Sequence, residues 1–251
     1  MAAYLPVLTF HKIDDSRSVI SFSPELFRHS MEKLRRNGYR SVRLSDAAEL
    51  VRERKPFPDK SFVVTFDDGY RSVCDEAFPV LDKHGMTATV FLTVGNSNKS
   101  GPDDRLPPLS GSEMLSWGEI RVMRDAGIDF GAHTISHPDL TALDAAAVGY
   151  EIRGSKDIIE DNLGVPVLSF AYPYGRYDEK SIEIAGQNFK CACSDKLGLL
   201  TEESRVYALE RVDAYYLRGE KLFDLMLTKT FPLYLLLRNI PRTIRRRFGV
   251  R

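Results

Sequence analysis

The stretch VVTFDDGYRS, residues 63–72, runs from an apolar segment directly into two adjacent carboxylates and a glycine. Val63 to Phe66 is typical of a buried strand, because its residues are β-branched or aromatic. Asp67 and Asp68 then follow side by side, where like charges repel and an apolar neighbourhood stabilises neither. This arrangement indicates that a positive charge lies beside the two carboxylates.

Strands and helices alternate on both sides of this stretch. Ser23-Pro24-Glu25 predicts the start of a helix, with Ser23 as its cap. Repetition of strand and helix without a linker predicts an α/β fold, a mostly parallel (β/α) barrel with outer helices over residues 1–218. Residues 219–251 form a basic, partly apolar C-terminal extension. The predicted strands cover 5–10, 62–66, 87–94, 128–132, 167–171 and 189–193, and the predicted helices lie near 78–81, 119–125, 144–163 and 179–187.

The composition of the chain is that of an ordinary globular protein. It has 251 residues, 43% of them hydrophobic, and its 35 Lys and Arg balance its 35 Asp and Glu, so net charge indicates no partner. Three cysteines predict free thiols in a reducing compartment rather than a disulfide framework. The N-terminus has no signal-peptide pattern, so we expect a cytoplasmic protein.

Polar side chains follow four of the predicted strands. His11 follows the first strand, Asp67 and Asp68 the second, His133 the strand at 128–132, and Tyr172–Gly175 the strand at 167–171. The C-terminal ends of barrel strands meet at one rim. We therefore expect these residues around one mouth.

The segment HTISH places His133 and His137 four residues apart, so one helical turn would bring both imidazoles to the same point. Two imidazoles and one carboxylate are a common ligand set for a catalytic divalent ion, with positions left open for water or substrate. Zinc is the first choice, and nickel, cobalt, iron or manganese accept the same donors. The alternative is a pair of surface histidines beside a turn.

The segments TFDDGY (65–70), HTISHPDL (133–140) and AYPYG (171–175) resemble three motifs of the polysaccharide deacetylase family, the NodB-homology domain of carbohydrate esterases. The resemblance covers about residues 5–215 and implies a distorted (β/α) barrel. It implies Asp67 as general base, Asp68, His133 and His137 as metal ligands, and the backbone N–H of Tyr174 at the oxyanion. The reaction implied is removal of N-acetyl groups from an amino-sugar poly- or oligosaccharide by metal-activated water.

Two departures from this family pattern concern catalytic groups. No histidine follows His137, whereas family members carry a late histidine as general acid. Some members look circularly permuted, with that histidine near the front of the chain. We therefore take His11 as the hypothesis for the general acid. The place of the arginine that begins the third motif is taken by Ala171. Arg211 could supply that charge, and it is also assigned to the substrate-binding set with Tyr172 and Pro173.

The tail KTFPLYLLLRNIPRTIRRRFGVR, residues 229–251, has seven positive residues and no acidic one. Its apolar part is too short to cross a bilayer. It predicts either peripheral contact with an anionic membrane, which would make a lipid-linked saccharide a reasonable substrate, or a terminal helix packed on the barrel with a solvated basic end.

Two rival functions remain open at this point. A related amidohydrolase acting on a non-acetyl amide, such as a formamide, would have the same catalytic centre. A catalytically inactive saccharide-binding relative would explain the two departures from the family pattern. Nothing in the chain indicates nucleic-acid readout, and the oligomeric state is not indicated.

Overall fold

The computed structural model describes residues 2–95, 104–109 and 111–248, with side chains described up to residue 240. The strands are β1 Val7–Phe10, β2 Lys12–Ile13, β3 Ser21–Phe22, β4 Arg40–Ser41, β5 Ser61–Phe66, β6 Thr89–Leu92, β7 Asp129–Ala132, β8 Ser169–Ala171, β9 Cys191–Leu197 and β10 Leu209–Asp213. The α-helices are α1 Pro24–Arg36, α2 Leu44–Arg52, α3 Phe78–Lys83, α4 Trp117–Asp125, α5 Ala145–Leu163, α6 Glu179–Asn188, α7 Glu220–Phe223 and α8 Phe231–Phe248.

Seven parallel strands close into a barrel. The order is β1-β10-β9-β8-β7-β6-β5, and β1 also pairs with β5, which completes the ring. The helices surround this ring, so the predicted (β/α) barrel is confirmed. Because the strands are parallel, their C-terminal ends share one rim.

Side chains on the strands alternate between two buried clusters, as the pleat of a strand requires. Val7 and Val63 belong to one cluster, whereas their neighbours Leu8 and Val64 belong to the other. Thr9 and Asp67 continue the first alternation and line the cavity at the rim, so this set points into the barrel. The interior is therefore apolar at one end and polar at the rim.

Several predicted elements differ in detail from the structure. The helix α2 was not predicted; its buried residues join the interior cluster of Val7 and Val63. Ser23 stands at the N-cap of α1, but its side chain makes no capping hydrogen bond. The strand predicted at 87–94 is regular only over Thr89–Leu92, because Thr93 and Val94 donate backbone hydrogen bonds to the loops carrying Asp68 and Thr134.

The segment after residue 218 packs on the barrel through its apolar side chains. Phe223, Met226, Phe231 and Leu235 are buried in the main hydrophobic cluster. None of the helices formed by the described residues has both the length and the apolar character needed to span a bilayer. Five of the seven positive tail residues lie beyond residue 240, outside the described side chains.

Candidate active site

A cavity of about 500 Å³ opens at the C-terminal rim of the barrel. It collects side chains from β1, β5, β7, β8 and β10 or from the loops that follow them. Seven of the nine residues that sequence analysis selected lie on its wall: His11, Asp67, Asp68, His133, His137, Tyr174 and Arg211.

Asp67 forms a buried ion pair with Arg211. The two nitrogens Nη1 and Nη2 of Arg211 donate to Oδ1 and Oδ2 of Asp67, each at 2.7 Å. Its Nε donates to the carbonyl of Ser194, which fixes the plane of the guanidinium group. Burial alone would raise the pKa of Asp67, but the charge of Arg211 beside it lowers that pKa well below its ordinary value. Arg211 therefore keeps Asp67 ionised and oriented.

The backbone explains how two consecutive aspartates face the same cavity. In a continued strand Asp68 would point away from the side that Asp67 faces. Asp68 instead has a φ of 76°, in the left-handed region that aspartate tolerates better than most residues. Gly69 follows with a φ of 86°, where an added Cβ would lie 3.0 Å from side-chain atoms of Leu92 and Leu106. The chain reverses at this point and turns both carboxylates inward.

Asp68, His133 and His137 form a compact cluster beside that ion pair. The Oδ1 atom of Asp68 is 3.4 Å from the Nε2 atom of each histidine, and the two Nε2 atoms are 3.2 Å apart. One donor atom from each residue lies within 4.8 Å of the others, so the three could hold a metal ion. Oδ1 of Asp68 is buried and has no hydrogen-bond partner.

A hydrogen bond at the ring nitrogen remote from Asp68 fixes the orientation of His133. Its Nδ1 lies 2.7 Å from the carbonyl oxygen of Ala171, which can only accept, so Nδ1 carries the hydrogen. In the neutral imidazole this leaves a lone pair on Nε2, directed at Asp68 and His137. Burial lowers the pKa of His133, but the adjacent carboxylates more than offset it and raise the pKa overall. Burial, with His133 beside it, lowers the pKa of His137 to about 4.

Glu151, which sequence analysis did not select, holds the loop between the two histidines. Its Oε2 accepts from the backbone N–H groups of Ile135 and Ser136 at 2.8 and 2.9 Å, and its Oε1 accepts from the Ser136 hydroxyl at 2.6 Å. It is buried on α5 among Val148, Ile152 and Ser155. A lone carboxylate on the apolar face of a predicted helix was the sequence signal that could have revealed it.

His11 lies across the cavity from the histidine loop. Its Nε2 is 3.9 Å from Oδ2 of Asp67, and its side chain is about one-quarter exposed, at 23%. His11 follows β1. This strand precedes the other strands in the sequence, but in the barrel it lies between β5 and β10. His11 therefore approaches the carboxylate pair from a strand that is remote in sequence from His133.

The segment after β8 brings one of its three selected side chains to the cavity. Tyr174 is 58% exposed, has a φ of 56°, and its ring centroid lies 4.7 Å from that of His137. Tyr172 is buried, and its hydroxyl donates to the carbonyl of Tyr207. Pro173 is buried as well. The side chains of Tyr172 and Pro173 are packed away from the cavity, so they do not lie where a substrate contact was predicted.

Comparisons with known proteins agree with this geometry. The sequence model of the polysaccharide deacetylase family matches residues 54–188. YxkH of Bacillus subtilis (strain 168), a candidate polysaccharide deacetylase, is 29% identical over 211 residues, which cover 84% of this chain and 71% of YxkH. The poly-β-1,6-N-acetyl-D-glucosamine N-deacetylase of Staphylococcus epidermidis is 24% identical over 208 residues, or 72% of this chain and 68% of that protein.

A solved structure supports the same relationship. IcaB from Ammonifex degensii superposes with a TM-score of 0.73 at 26% identity, over 86% of this chain and 95% of that one. The family match includes Asp67, Asp68, His133 and His137, whereas His11 and Arg211 lie outside it and reach the site through the fold. A match over more than half of its length, centred on these residues, shows that the chain belongs to the polysaccharide deacetylase family.

Proposed function

We propose that the protein is a metal-dependent N-deacetylase that removes acetyl groups from an amino-sugar poly- or oligosaccharide. The observation that carries the proposal is the placement of an ionised, arginine-bound Asp67 beside the Asp68–His133–His137 cluster in one cavity. The named activity of the Staphylococcus epidermidis relative supports the choice of an N-acetylglucosamine polymer as substrate.

The residues of the cluster fit a divalent metal. Oδ1 of Asp68 is a buried acceptor without a hydrogen-bond partner, and the two imidazole Nε2 atoms lie 3.4 Å from it and 3.2 Å from each other. A cation satisfies all three acceptors at once, which a single proton does not. Two imidazoles and one carboxylate suit zinc first, and nickel, cobalt, iron or manganese as alternatives. When bound there, such an ion polarises the amide carbonyl and lowers the pKa of a water molecule.

The other groups of the cavity carry the proton transfers. Asp67 accepts a proton from the attacking water, and Arg211 keeps it ionised for that purpose. The oxygen of the water adds to the acetyl carbon, and the backbone N–H of Tyr174 donates to the oxyanion. His11 protonates the sugar nitrogen as the C–N bond breaks. The products are acetate and a free amine.

This arrangement also bears on the inactive alternative. The two departures from the family pattern were the missing arginine and the missing late histidine. Arg211 contacts Asp67 through two hydrogen bonds, and His11 lies 3.9 Å from the same carboxylate. Both kinds of group are thus present in the cavity, which supports catalysis over saccharide binding alone.

The direct test is acetate release from β-1,6-linked N-acetylglucosamine oligomers. We expect acetate from the metal-loaded protein, loss of activity with a chelator, and recovery when zinc is restored. Asp67→Asn should abolish turnover while retaining metal. An N-formyl oligomer assayed in parallel tests the non-acetyl alternative. Undiminished turnover after complete metal removal would contradict the proposal.

A further inference from the structure

Up to residue 240, where its side chains are described, the helix α8 has apolar residues on two opposite faces, and only one of these faces is covered. Phe231 and Leu235 are buried against the barrel, at 1% and 3% exposed. The hydroxyl of Tyr234 donates to the carbonyl of Tyr216, and the side-chain amide of Asn239 donates to the carbonyl of Leu197. These contacts fix which side of the helix faces the protein.

The other face carries a stripe of large apolar side chains. Its described members are between 50% and 62% exposed. They are spaced i, i+3, i+4 and i+7, which places them on one side of a helix. At 100° per residue this side lies opposite Phe231 and Leu235. We name this set the outer stripe: Leu233, Leu236, Leu237 and Ile240.

The charge of the segment indicates what covers the outer stripe. Residues 229–251 contain seven positive residues and no acidic one. Two copies of the chain packed stripe to stripe would bring two such segments together without a compensating charge in either. An anionic lipid surface offers apolar depth for the stripe and negative headgroups for the arginines.

We infer that α8 is an interfacial helix that seats the protein on an anionic lipid surface through the outer stripe. No predicted catalytic group lies on α8, so this contact is independent of the proposed reaction. The hydrogen bond from Tyr234 to Tyr216 joins α8 to the segment after β10, in which Tyr215 lines the cavity. This contact links α8 to the rim of the barrel.

Vesicle cosedimentation of the full chain tests this inference. We expect binding to phosphatidylcholine vesicles that contain phosphatidylglycerol and little binding to phosphatidylcholine alone. Raising the salt from 0.1 M to 1 M should weaken binding, since the screening length falls from about 10 Å to about 3 Å. The double variant Leu236→Ser with Leu237→Ser should bind roughly tenfold or more weakly.

A matched control separates the outer stripe from general surface polarity. Val122 on α4 is 61% exposed, so Val122→Ser removes an apolar side chain elsewhere and should leave vesicle binding unchanged. Equal acetate release by both variants on a soluble oligomer would show that they are folded.

Three results would overturn the inference: no binding to anionic vesicles, equal binding to neutral ones, or binding that the double variant retains. A solution dimer that the double variant dissociates would also overturn it, because a second copy would then cover the stripe.

Discussion

At the scale of single residues, the contact between Arg211 and Asp67 sets the ionisation of the predicted base. Both side chains are only 5% exposed, so the carboxylate has little water to stabilise its charge. Arg211 supplies that stabilisation through two hydrogen bonds and lowers the pKa of Asp67. The base is thus ionised at every pH at which the protein would work, in keeping with a role that needs the charged form.

Replacing Arg211 should therefore change the pH dependence of catalysis. Without the guanidinium, burial raises the pKa of Asp67, and we expect the acidic limb of kcat/KM to move up by roughly one to three pH units in Arg211→Met. Arg211→Lys retains the positive charge but not the two parallel hydrogen bonds. The acidic limb of its kcat/KM profile should therefore lie between those of the wild type and Arg211→Met. A pH–rate profile for all three proteins measures this, and an unmoved limb would contradict the role.

The ion pair between Asp67 and Arg211 should also make the free energy of unfolding fall as the solution becomes acidic. The folded-state pKa of Asp67 lies below its unfolded-state value, so the pair stabilises the fold above the unfolded pKa, which is about 3.9. This contribution is lost progressively as the pH falls below about 3.9 towards the folded pKa. Urea unfolding from pH 6 to pH 3 should show a loss in the wild type that is smaller in Arg211→Met.

His11 can be tested by the choice of leaving group. A general acid is needed for a sugar amine but not for a phenolate, which leaves without a proton. We expect His11→Ala to lose amide hydrolysis by roughly a hundredfold or more. Hydrolysis of 4-nitrophenyl acetate should fall far less, with metal content unchanged. Asp67→Asn serves as the control that loses both activities, and parallel loss of both in His11→Ala would reject the assignment.

At the scale of elements, α5 supports the loop that carries the histidines. Thr134 and His137 both have positive φ values, 71° and 59°, so the loop lies in a backbone region that non-glycine residues seldom adopt. Three hydrogen bonds to Glu151 and one from the His137 N–H to the Thr134 hydroxyl hold it there. Glu151 therefore positions the loop that carries His133 and His137.

Substituting Glu151 should act chiefly by weakening metal binding. We expect Glu151→Ala to lower zinc affinity roughly tenfold to a hundredfold, the usual effect of losing a group that supports a ligand. Glu151→Gln retains an acceptor for the two N–H groups and should recover most of that affinity. Competition with a chromophoric chelator measures both variants without an activity assay. A Gln variant no better than Ala would argue against positioning by hydrogen bonds.

The sequence predicted the elements that carry periodic apolar patterns and missed those defined by packing. The long pattern at 144–163 corresponds closely to α5. The strand β5 was predicted except for its first residue, Ser61. The helix α2 was missed, since its nine residues bury only Leu44, Ala47, Ala48 and Val51. The strand β9 extends to Leu197, beyond the predicted Phe189–Cys193, because its partner β10 continues the pairing as far as Arg211.

The predictions for the candidate site divide in the same way, between residues in short motifs and features that depend on packing. Asp67, Asp68, His133 and His137 could be selected because they stand in short motifs. Arg211 was selected only as a replacement for the missing arginine of the third motif. It lies 144 residues from Asp67, and no local pattern indicates the register shift between Leu209 and Arg211 that helps define its place. The positive φ of Asp68 was also beyond sequence reasoning, although it turns the second carboxylate towards the histidines.

At the scale of the whole molecule, the cluster of Asp68, His133 and His137 joins parts of the chain that are distant in sequence. Asp68 follows β5, and the two histidines follow β7. A ligand that binds all three in the folded state, and not together in the unfolded state, stabilises the fold through mass action.

Metal loading should therefore raise the melting temperature. Free zinc at about one hundred times its Kd adds about 2.7 kcal/mol to the free energy of unfolding. For a chain of this size that corresponds to roughly 5–10 °C. Differential scanning calorimetry with and without chelator measures the shift. The variant Asp68→Asn should show little of it, and an equal shift in that variant would place the metal elsewhere.

The closure of the barrel has a consequence for biosynthesis. The strand β1 pairs on one side with β5 and on the other with β10, which ends at Asp213. While the chain emerges from the ribosome, the edge of β1 that later meets β10 stays without its partner until the segment that forms β10 has been translated. The nascent chain thus carries an open strand edge, a hazard for pairing with other chains. The strand β1 is thus enclosed long after it has been made, and premature termination before β10 would leave the ring open beside His11.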